Sequence, residues 1–211
     1  MSLSTPSLDK DILIGGCNRL PILIDYLRLI AEVQALPTDF WGSRGGRVGV
    51  HRAAEAVFLR GYAPAEGDKP IEDRPALEHT PYIRHLIKEV VPARAQRCLL
   101  AKLHAGARIP LHMDRGNYFR ATIRVHFPVQ TDPSVIMYAR GHAYTMRPGE
   151  VWALNNSNLH AVLNDWDQPR THLICDFLPD PALLDLLGRG ERDLGRTAHE
   201  LDDRVRAPHQ A

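Results

Sequence analysis

RATIRVHFPV, residues 120–129, alternates with a period of two. Ile123, Val125 and Phe127 fall on one face; Thr122, Arg124 and His126 fall on the other. That is the side-chain period of a β-strand, because successive residues of a strand leave on opposite faces. The apolar face suits a hydrophobic core. The second face sets a guanidinium beside an imidazole, which is costly inside a barrel unless an anion is bound there. The alternative is that this face meets solvent, as on many antiparallel strands.

Outward from this stretch, the period stays at two from Gln96 onward. CLLAKLH, SVIMYA, AYTMR, VWAL after a PGE turn, and THLICDF are further strand-like runs, separated by Gly, Pro and Asn turns. Short strands at this spacing predict a β-barrel or sandwich. Before Gln96 the signals are mixed. Asp11–Ile14 (DILI) reads as a short strand ended by Gly15-Gly16, and Ala56–Arg60 as another. Residues 21–36 read as a helix with Pro21 in its first turn and Leu20, Leu23, Leu27, Ile30 and Val33 as its apolar stripe. Residues 42–49 are loop-like. PYIRHLIKEVV reads as a second helix capped by Thr80, with Pro81 at its first position. After Pro179 comes one apolar helix, PALLDLLG, and then a charged end expected to fray. The organisation is a single domain, 1–211: a helical and strand support layer (1–95), a β core (96–179), and a C-terminal helix with a charged tail (180–211).

Composition narrows the function classes. Over 211 residues, 26 Lys and Arg balance 25 Asp and Glu, which excludes nucleic-acid or membrane-surface binding driven by long-range charge. No run approaches the roughly 18 apolar residues of a membrane span. The opening MSLSTPSLDKD has no basic or apolar region of a secretory signal. Cys17, Cys98 and Cys175 are odd in number and far apart, and are read as buried free thiols in a reducing cytoplasm.

The chemistry centres on IPLHMD. In an extended chain His112 and Asp114 point at one spot, where they can share a salt bridge or a metal ion. A His-x-Asp pair is common enough by chance that its company must decide. His160, in NNSNLHAVLND, supplies a second imidazole. Ten residues later Arg170 opens a strand on which Arg170, His172, Ile174 and Asp176 share a face. Two histidines and one carboxylate occupy one face of an octahedral metal and leave three positions open, a pattern suited to non-haem Fe(II). Zinc prefers a tetrahedral set richer in N and S donors, and no Cys is placed to help. Arg170 and Arg124 are natural clamps for a dicarboxylate.

These segments resemble a known family. IPLHMD, RATIRVHFPV, YTMRPGEVWALNNSNLHAVLND and PRTHLICDF are similar, in order, to the catalytic core of the aspartyl/asparaginyl β-hydroxylase family of Fe(II)/2-oxoglutarate-dependent oxygenases. HTPYIRHL and DFWG extend the resemblance to its bacterial branch, the proline 3-hydroxylases. The resemblance implies a double-stranded β-helix, a cupin-like jelly roll, mainly β with an N-terminal helical layer. It implies His112, Asp114 and His160 as iron ligands, Arg170 as the partner of the distal carboxylate of 2-oxoglutarate, and Arg124 and His126 at its other end. The implied reaction consumes dioxygen and 2-oxoglutarate, hydroxylates an unactivated C–H of an amino acid, free or within a peptide, and releases succinate and CO2. Asp114 and Ala101 depart from the animal aspartyl hydroxylases, which lack the acid and carry a serine in the cofactor clamp. Both departures favour the bacterial small-substrate branch, and Asp114 disfavours a halogenase.

For the substrate, Arg52, Arg115 and Arg120 are candidate carboxylate partners and Tyr118 and Trp166 candidate walls, each read first as an ordinary surface arginine or structural aromatic. Asn155, Asn156, Asn158 and Asn164 are read first as turn formers, with orientation of His160 as the alternative role. The rival of another class is a cupin-like metal-binding module, an isomerase or ligand-binding regulator, which needs the metal set but not both Arg124 and Arg170. A structural β-domain with a His–Asp salt bridge leaves the arginine-bearing faces unexplained. Oligomeric state is not legible.

Overall fold

The computed structural model describes residues 8–42, 53–65, 67–192 and 194–206. Its strands are β1 (Cys17–Leu20), β2 (Ala54–Arg60), β3 (Ala95–Leu103), β4 (Arg108–His112), β5 (Ile123–Gln130), β6 (Val135–Ala139), β7 (His142–Tyr144), β8 (Val151–Leu154), β9 (His160–Asn164), β10 (Arg170–Phe177) and β11 (Arg196–Thr197). Helices are α1 (Lys10–Leu13), α2 (Tyr26–Ala35), α3 (Pro81–His85), α4 (Asn117–Ala121), α5 (Pro181–Gly188) and α6 (Asp202–Arg206). The strands form a six-stranded sheet, β1-β8-β5-β10-β3-β2, and a five-stranded sheet, β11-β7-β6-β9-β4. Every pairing is antiparallel. The fold is a jelly-roll core with flanking helices.

The large sheet separates apolar from polar chemistry. Ile123, Val125 and Phe127 of β5 and Leu173, Cys175 and Phe177 of β10 are fully buried on its outer face. They pack in one cluster with Leu29 of α2, Ile83 of α3 and Leu183 and Leu187 of α5. The opposite face of the same strands turns Arg124, His126, Arg170 and Ile174 into the space between the sheets. The period-two reading of RATIRVHFPV thus holds from Ile123 onward, with an internal polar face, whereas Arg120 and Ala121 close the short helix α4.

Several local expectations are corrected. DILI is helical rather than extended: Asp11–Leu13 lie in α1 with Ile14 as its C-cap, because the Asp9 carboxylate accepts from the backbone N–H groups of Asp11 and Ile12 and caps a turn. The strand lies just beyond, at β1, hydrogen-bonded to β8. α2 starts at Tyr26 rather than Pro21, since Asp25 is its cap and accepts from Arg28 N. Leu23 and Leu27 are exposed, and Leu29 is the residue α2 buries fully. Thr80 turns its hydroxyl back to the carbonyls of Ala76 and Leu77. The α3 N-terminus is instead capped by Glu32 of α2, whose carboxylate accepts from Tyr82 N (2.6 Å) and Ile83 N (3.0 Å). α3 then runs into a π-helical turn, Leu86–Val90.

The charged tail is docked as far as Arg206: Leu201 and Val205 are buried in one cluster with Tyr138, Ala161 and Leu163 of the small sheet. Loop residues 43–49 and Arg52 lie outside the described residues. The three cysteines are buried free thiols. Among the described residues no helix is long and apolar enough to cross a membrane.

Candidate active site

β4 ends and β9 begins at the same place. In their antiparallel register His112 stands opposite His160, after an irregularity between Ile109 and His112. Their rings lie 4.2 Å apart, centroid to centroid. Asp114 follows two residues beyond His112, held there by its backbone N–H donating to the Asn156 carbonyl at 2.9 Å. The Asp114 Oδ1 is 3.9 Å from His112 Nε2. One donor atom from each of His112, Asp114 and His160 lies within 4.8 Å of the others. The structure therefore brings together the three residues picked from sequence.

Each donor is oriented by a second bond. His112 Nδ1 meets the Pro110 carbonyl at 2.8 Å, and His160 Nδ1 meets the Asn158 carbonyl at 2.9 Å. A carbonyl only accepts, so both Nδ1 atoms carry the proton and both Nε2 atoms present lone pairs, as a metal requires. Asp114 Oδ2 accepts from Arg124 Nη1 (2.5 Å) and Asn156 Nδ2 (3.0 Å), which leaves Oδ1 on the histidine side. Burial opposes the Asp114 charge, yet the Arg124 guanidinium and the Asn156 amide hold its carboxyl well below the usual carboxylate range. Burial, with the neighbouring His112, pushes His160 down to about 3, so its imidazole is neutral at physiological pH.

Behind these donors lies a polar network that the sequence reading missed. Arg124 is flanked by two acids: it also donates through Nε to Asp176 Oδ1 (2.8 Å) and through Nη2 to Asp176 Oδ2 (3.1 Å). Tyr118 Oη donates to Asp176 as well, at 3.2 Å. Lys10, from α1, is buried and donates to Asn156 Oδ1 (3.0 Å) and the Phe119 carbonyl (2.5 Å). Asn156 thus orients Asp114 rather than His160. Asn155 ties to Asp11 and the Gly15 carbonyl, and Asn164 ties to the carbonyls of His104 and Gln168. Nothing local in the sequence linked Lys10 to Asn156, because 146 residues separate them.

A cavity of about 520 Å³ between the sheets is lined by all six site residues: His112, Asp114, His160, Arg124, His126 and Arg170. Arg170, the first residue of β10, is 2% exposed and has no acid within ion-pair distance among the described residues. Burial lowers its pKa to about 9. Its Nη2 donates to His172 Nδ1 at 2.7 Å, so that nitrogen bears the lone pair. His126 Nδ1 is 3.3 Å from the same atom and is the donor of that contact. Burial and the Arg170 charge hold both histidines well below their ordinary pKa. The guanidinium Nε of Arg170 and the Nε2 atoms of His126 and His172 are buried without a hydrogen-bond partner. Of these, Arg170 and His126 line the cavity, where a ligand or ordered water can satisfy them.

Of the substrate-side candidates, Arg115 lines the cavity from an exposed position, and Arg120 is exposed and does not line it. Tyr118 is taken up by Asp176, and Trp166 packs on the apolar cluster that includes Leu103 and Val162.

Comparison with known proteins agrees with this architecture. The family model described as aspartyl/asparaginyl beta-hydroxylase matches residues 55–179. A search of curated protein sequences finds no match. Among solved structures, a 2OG-Fe(II) oxygenase family oxidoreductase from Burkholderia pseudomallei superposes with a TM-score of 0.59 at 14% identity, over 80% of this chain and 88% of that one. The non-heme alpha ketoglutarate dependent epimerase of nogalamycin biosynthesis gives 0.55 at 12%, over 86% of both chains. A prolyl hydroxylase from Trichoplax adhaerens, solved with a hypoxia inducible factor peptide fragment, gives 0.50 at 11%, over 82% and 88%. At these identities the likeness is one of fold.

Proposed function

The chain belongs to the aspartyl/asparaginyl β-hydroxylase family, enzymes of the 2-oxoglutarate-dependent oxygenase class, and on that footing we propose that it hydroxylates an unactivated C–H of a small amino-acid substrate. The observation that carries this reading is a juxtaposition. A two-histidine, one-carboxylate donor set and a buried arginine with no acid partner among the described residues line one cavity. The donor set fits Fe(II), which with 2-oxoglutarate and dioxygen supplies the oxidative decarboxylation to succinate and CO2 and the hydroxylation coupled to it.

The chain's own residues do the rest. His112 and His160 offer Nε2, fixed by the carbonyls behind them, and Asp114 offers Oδ1 while Arg124 and Asn156 hold its other oxygen. Arg170 takes the distal carboxylate of 2-oxoglutarate, replacing by charge-assisted bonds the water it has lost. His126 lies beside it for the cosubstrate. Arg124, with both flanking acids engaged, serves to place Asp114 rather than to grip the cosubstrate. The apolar side chains of Leu103, Met137 and Val162 keep this end of the cavity dry.

The test is an anaerobic titration of the apo-protein with Fe(II) and then 2-oxoglutarate, following the visible charge-transfer band of the chelate. The band is expected in the wild type and lost in Arg170→Glu. Iron binding without a band in the wild type overturns the oxygenase reading. So does a His112→Ala protein that consumes 2-oxoglutarate at the wild-type rate.

A further inference from the structure

The metal set leans on a turn. β8 ends at Leu154 and β9 begins at His160, and residues 155–159 between them lie outside any strand. Yet this stretch orients two of the three donors. The Asn156 carbonyl accepts from Asp114 N (2.9 Å), and its carboxamide donates to Asp114 Oδ2 (3.0 Å). Two residues on, the Asn158 carbonyl accepts from His160 Nδ1 (2.9 Å). A displaced turn would misaim the carboxylate and an imidazole together.

The turn closes on itself through two backbone bonds, Asn156 N to the Leu154 carbonyl (3.0 Å) and Asn158 N to the Asn155 carbonyl (3.2 Å). Its side chains are held from the other end of the chain. Two consecutive residues of α1 take hold of three asparagines. Asp11 Oδ1 accepts from Asn155 Nδ2 (2.8 Å) and Asn158 Nδ2 (2.5 Å), so one oxygen pins both ends of the 155–158 turn. Lys10 Nζ donates to Asn156 Oδ1 (3.0 Å). The same ammonium donates to the Phe119 carbonyl (2.5 Å) in α4, which follows directly on the segment carrying Asp114. α1 is anchored in its turn: Ile14, at its end, is fully buried in the cluster that includes Leu183 and Leu187 of α5.

Lys10 is 5% exposed, and among the described residues it has no acid within ion-pair distance. Burying an ammonium is costly, and an apolar side chain would fill the same place at less cost. What the ammonium contributes is its grip on two acceptors, one on the turn and one on α4. Asn155 and Asn156 are buried as well, so their carboxamides point in fixed directions.

Resting on the metal-site reading above, we propose that Lys10 and Asp11 are positioning residues of the metal centre. They hold the 155–158 turn in the conformation that aims Asp114 and His160, acting through the asparagines rather than on the ligands. Metal affinity then depends on a dipeptide about a hundred residues or more from every ligand along the chain.

The test titrates Mn(II) alone into the full chain by calorimetry, with circular dichroism to confirm the fold. Lys10→Met/Asp11→Ala should bind about 10–100-fold more weakly than the wild type, the range for outer partners of metal ligands. Each single variant should fall between. Asp11→Asn keeps the accepting oxygen and should bind as the wild type does, which a role confined to the Asp11 ion pair with Arg140 does not predict. Leu77→Ala empties a buried position in the turn Pro75–His79 and should leave the affinity unchanged, as the control for general destabilisation. Should the double variant not fold, Asp11→Ala against Asp11→Asn, at an exposed residue, carries the comparison. The proposal is overturned if the double variant folds and binds Mn(II) normally, if Asp11→Asn binds as weakly as Asp11→Ala, or if Leu77→Ala weakens binding as much. Those outcomes leave the metal site itself intact. A wild type that binds no Mn(II), or binds it undisturbed by His112→Ala, overturns the metal-site reading and this inference with it.

Discussion

His112 and His160 face one another across the β4–β9 pair, at the end of one strand and the start of the next, with their rings 4.2 Å apart. Strand pairing, rather than sequence proximity, makes a metal site of them. Replacing either with alanine should lower Fe(II) or Mn(II) affinity by about a hundredfold or more, since direct ligands matter more than the outer partners whose loss costs roughly 10–100-fold. Calorimetric metal titration, with circular dichroism to confirm the fold, checks this.

Asn156 ties Lys10 to Asp114 and so controls which carboxylate oxygen is left for the metal. Asn156→Leu should weaken metal binding by roughly 10–100-fold while His112 and His160 are untouched. A variant that binds metal as the wild type does would show that Arg124 alone suffices to aim the carboxylate.

Arg124→Gln should be costly to the fold itself. It strips the main partner from Asp176, which is 1% exposed. Leaving a buried carboxylate short of its partner costs about 3–5 kcal/mol. Tyr118 still donates to Asp176, which places the expected loss toward the lower end of that range. Urea unfolding measures it.

Lys10 carries a pH signature. Burial and the nearby Arg124 charge lower its folded pKa to about 8, below the 10.5 of an unperturbed lysine. Between those values the unfolded chain binds more protons, so stability rises with pH; below about 8 the penalty is present in full. The contribution amounts to up to about 3 kcal/mol. The stability difference between wild type and Lys10→Met, measured in urea at several pH values from 7.5 to 10, should move in favour of the wild type as pH increases. A flat difference would refute a strained Lys10.

Leu201, 7% exposed, is part of what fastens the C-terminal segment to Tyr138, Ala161 and Leu163. Leu201→Ala should destabilise by about 2–3 kcal/mol, the low end for a buried leucine. Protease sensitivity confined to the C-terminal segment, alongside the equilibrium loss, would locate the effect.

The alternation of Ile123, Val125 and Phe127 with Arg124 and His126 was readable from sequence because a strand's side-chain period is two and depends on nothing distant. The same holds for β10, and His-x-Asp states a direction as soon as the chain is extended. Short segments were less legible. Four residues such as DILI carry no period, and only the Asp9 cap makes them a turn of helix. The tail held a signal that composition hid: Leu201 and Val205, four apart, share a helical face beneath a charged surface.

The sequence by itself determined the β core, the polar inner face of its strands, and the residue types of the proposed metal and cosubstrate sites. Tertiary structure alone decided which partners those residues meet. Register brought His160 to His112, chain crossing brought Lys10 to Asn156, and Arg124 was enclosed by two acids from different segments. Side-chain chemistry is local and is written in the residue, whereas the neutralisation of a charge depends on which distant segments the fold packs against it.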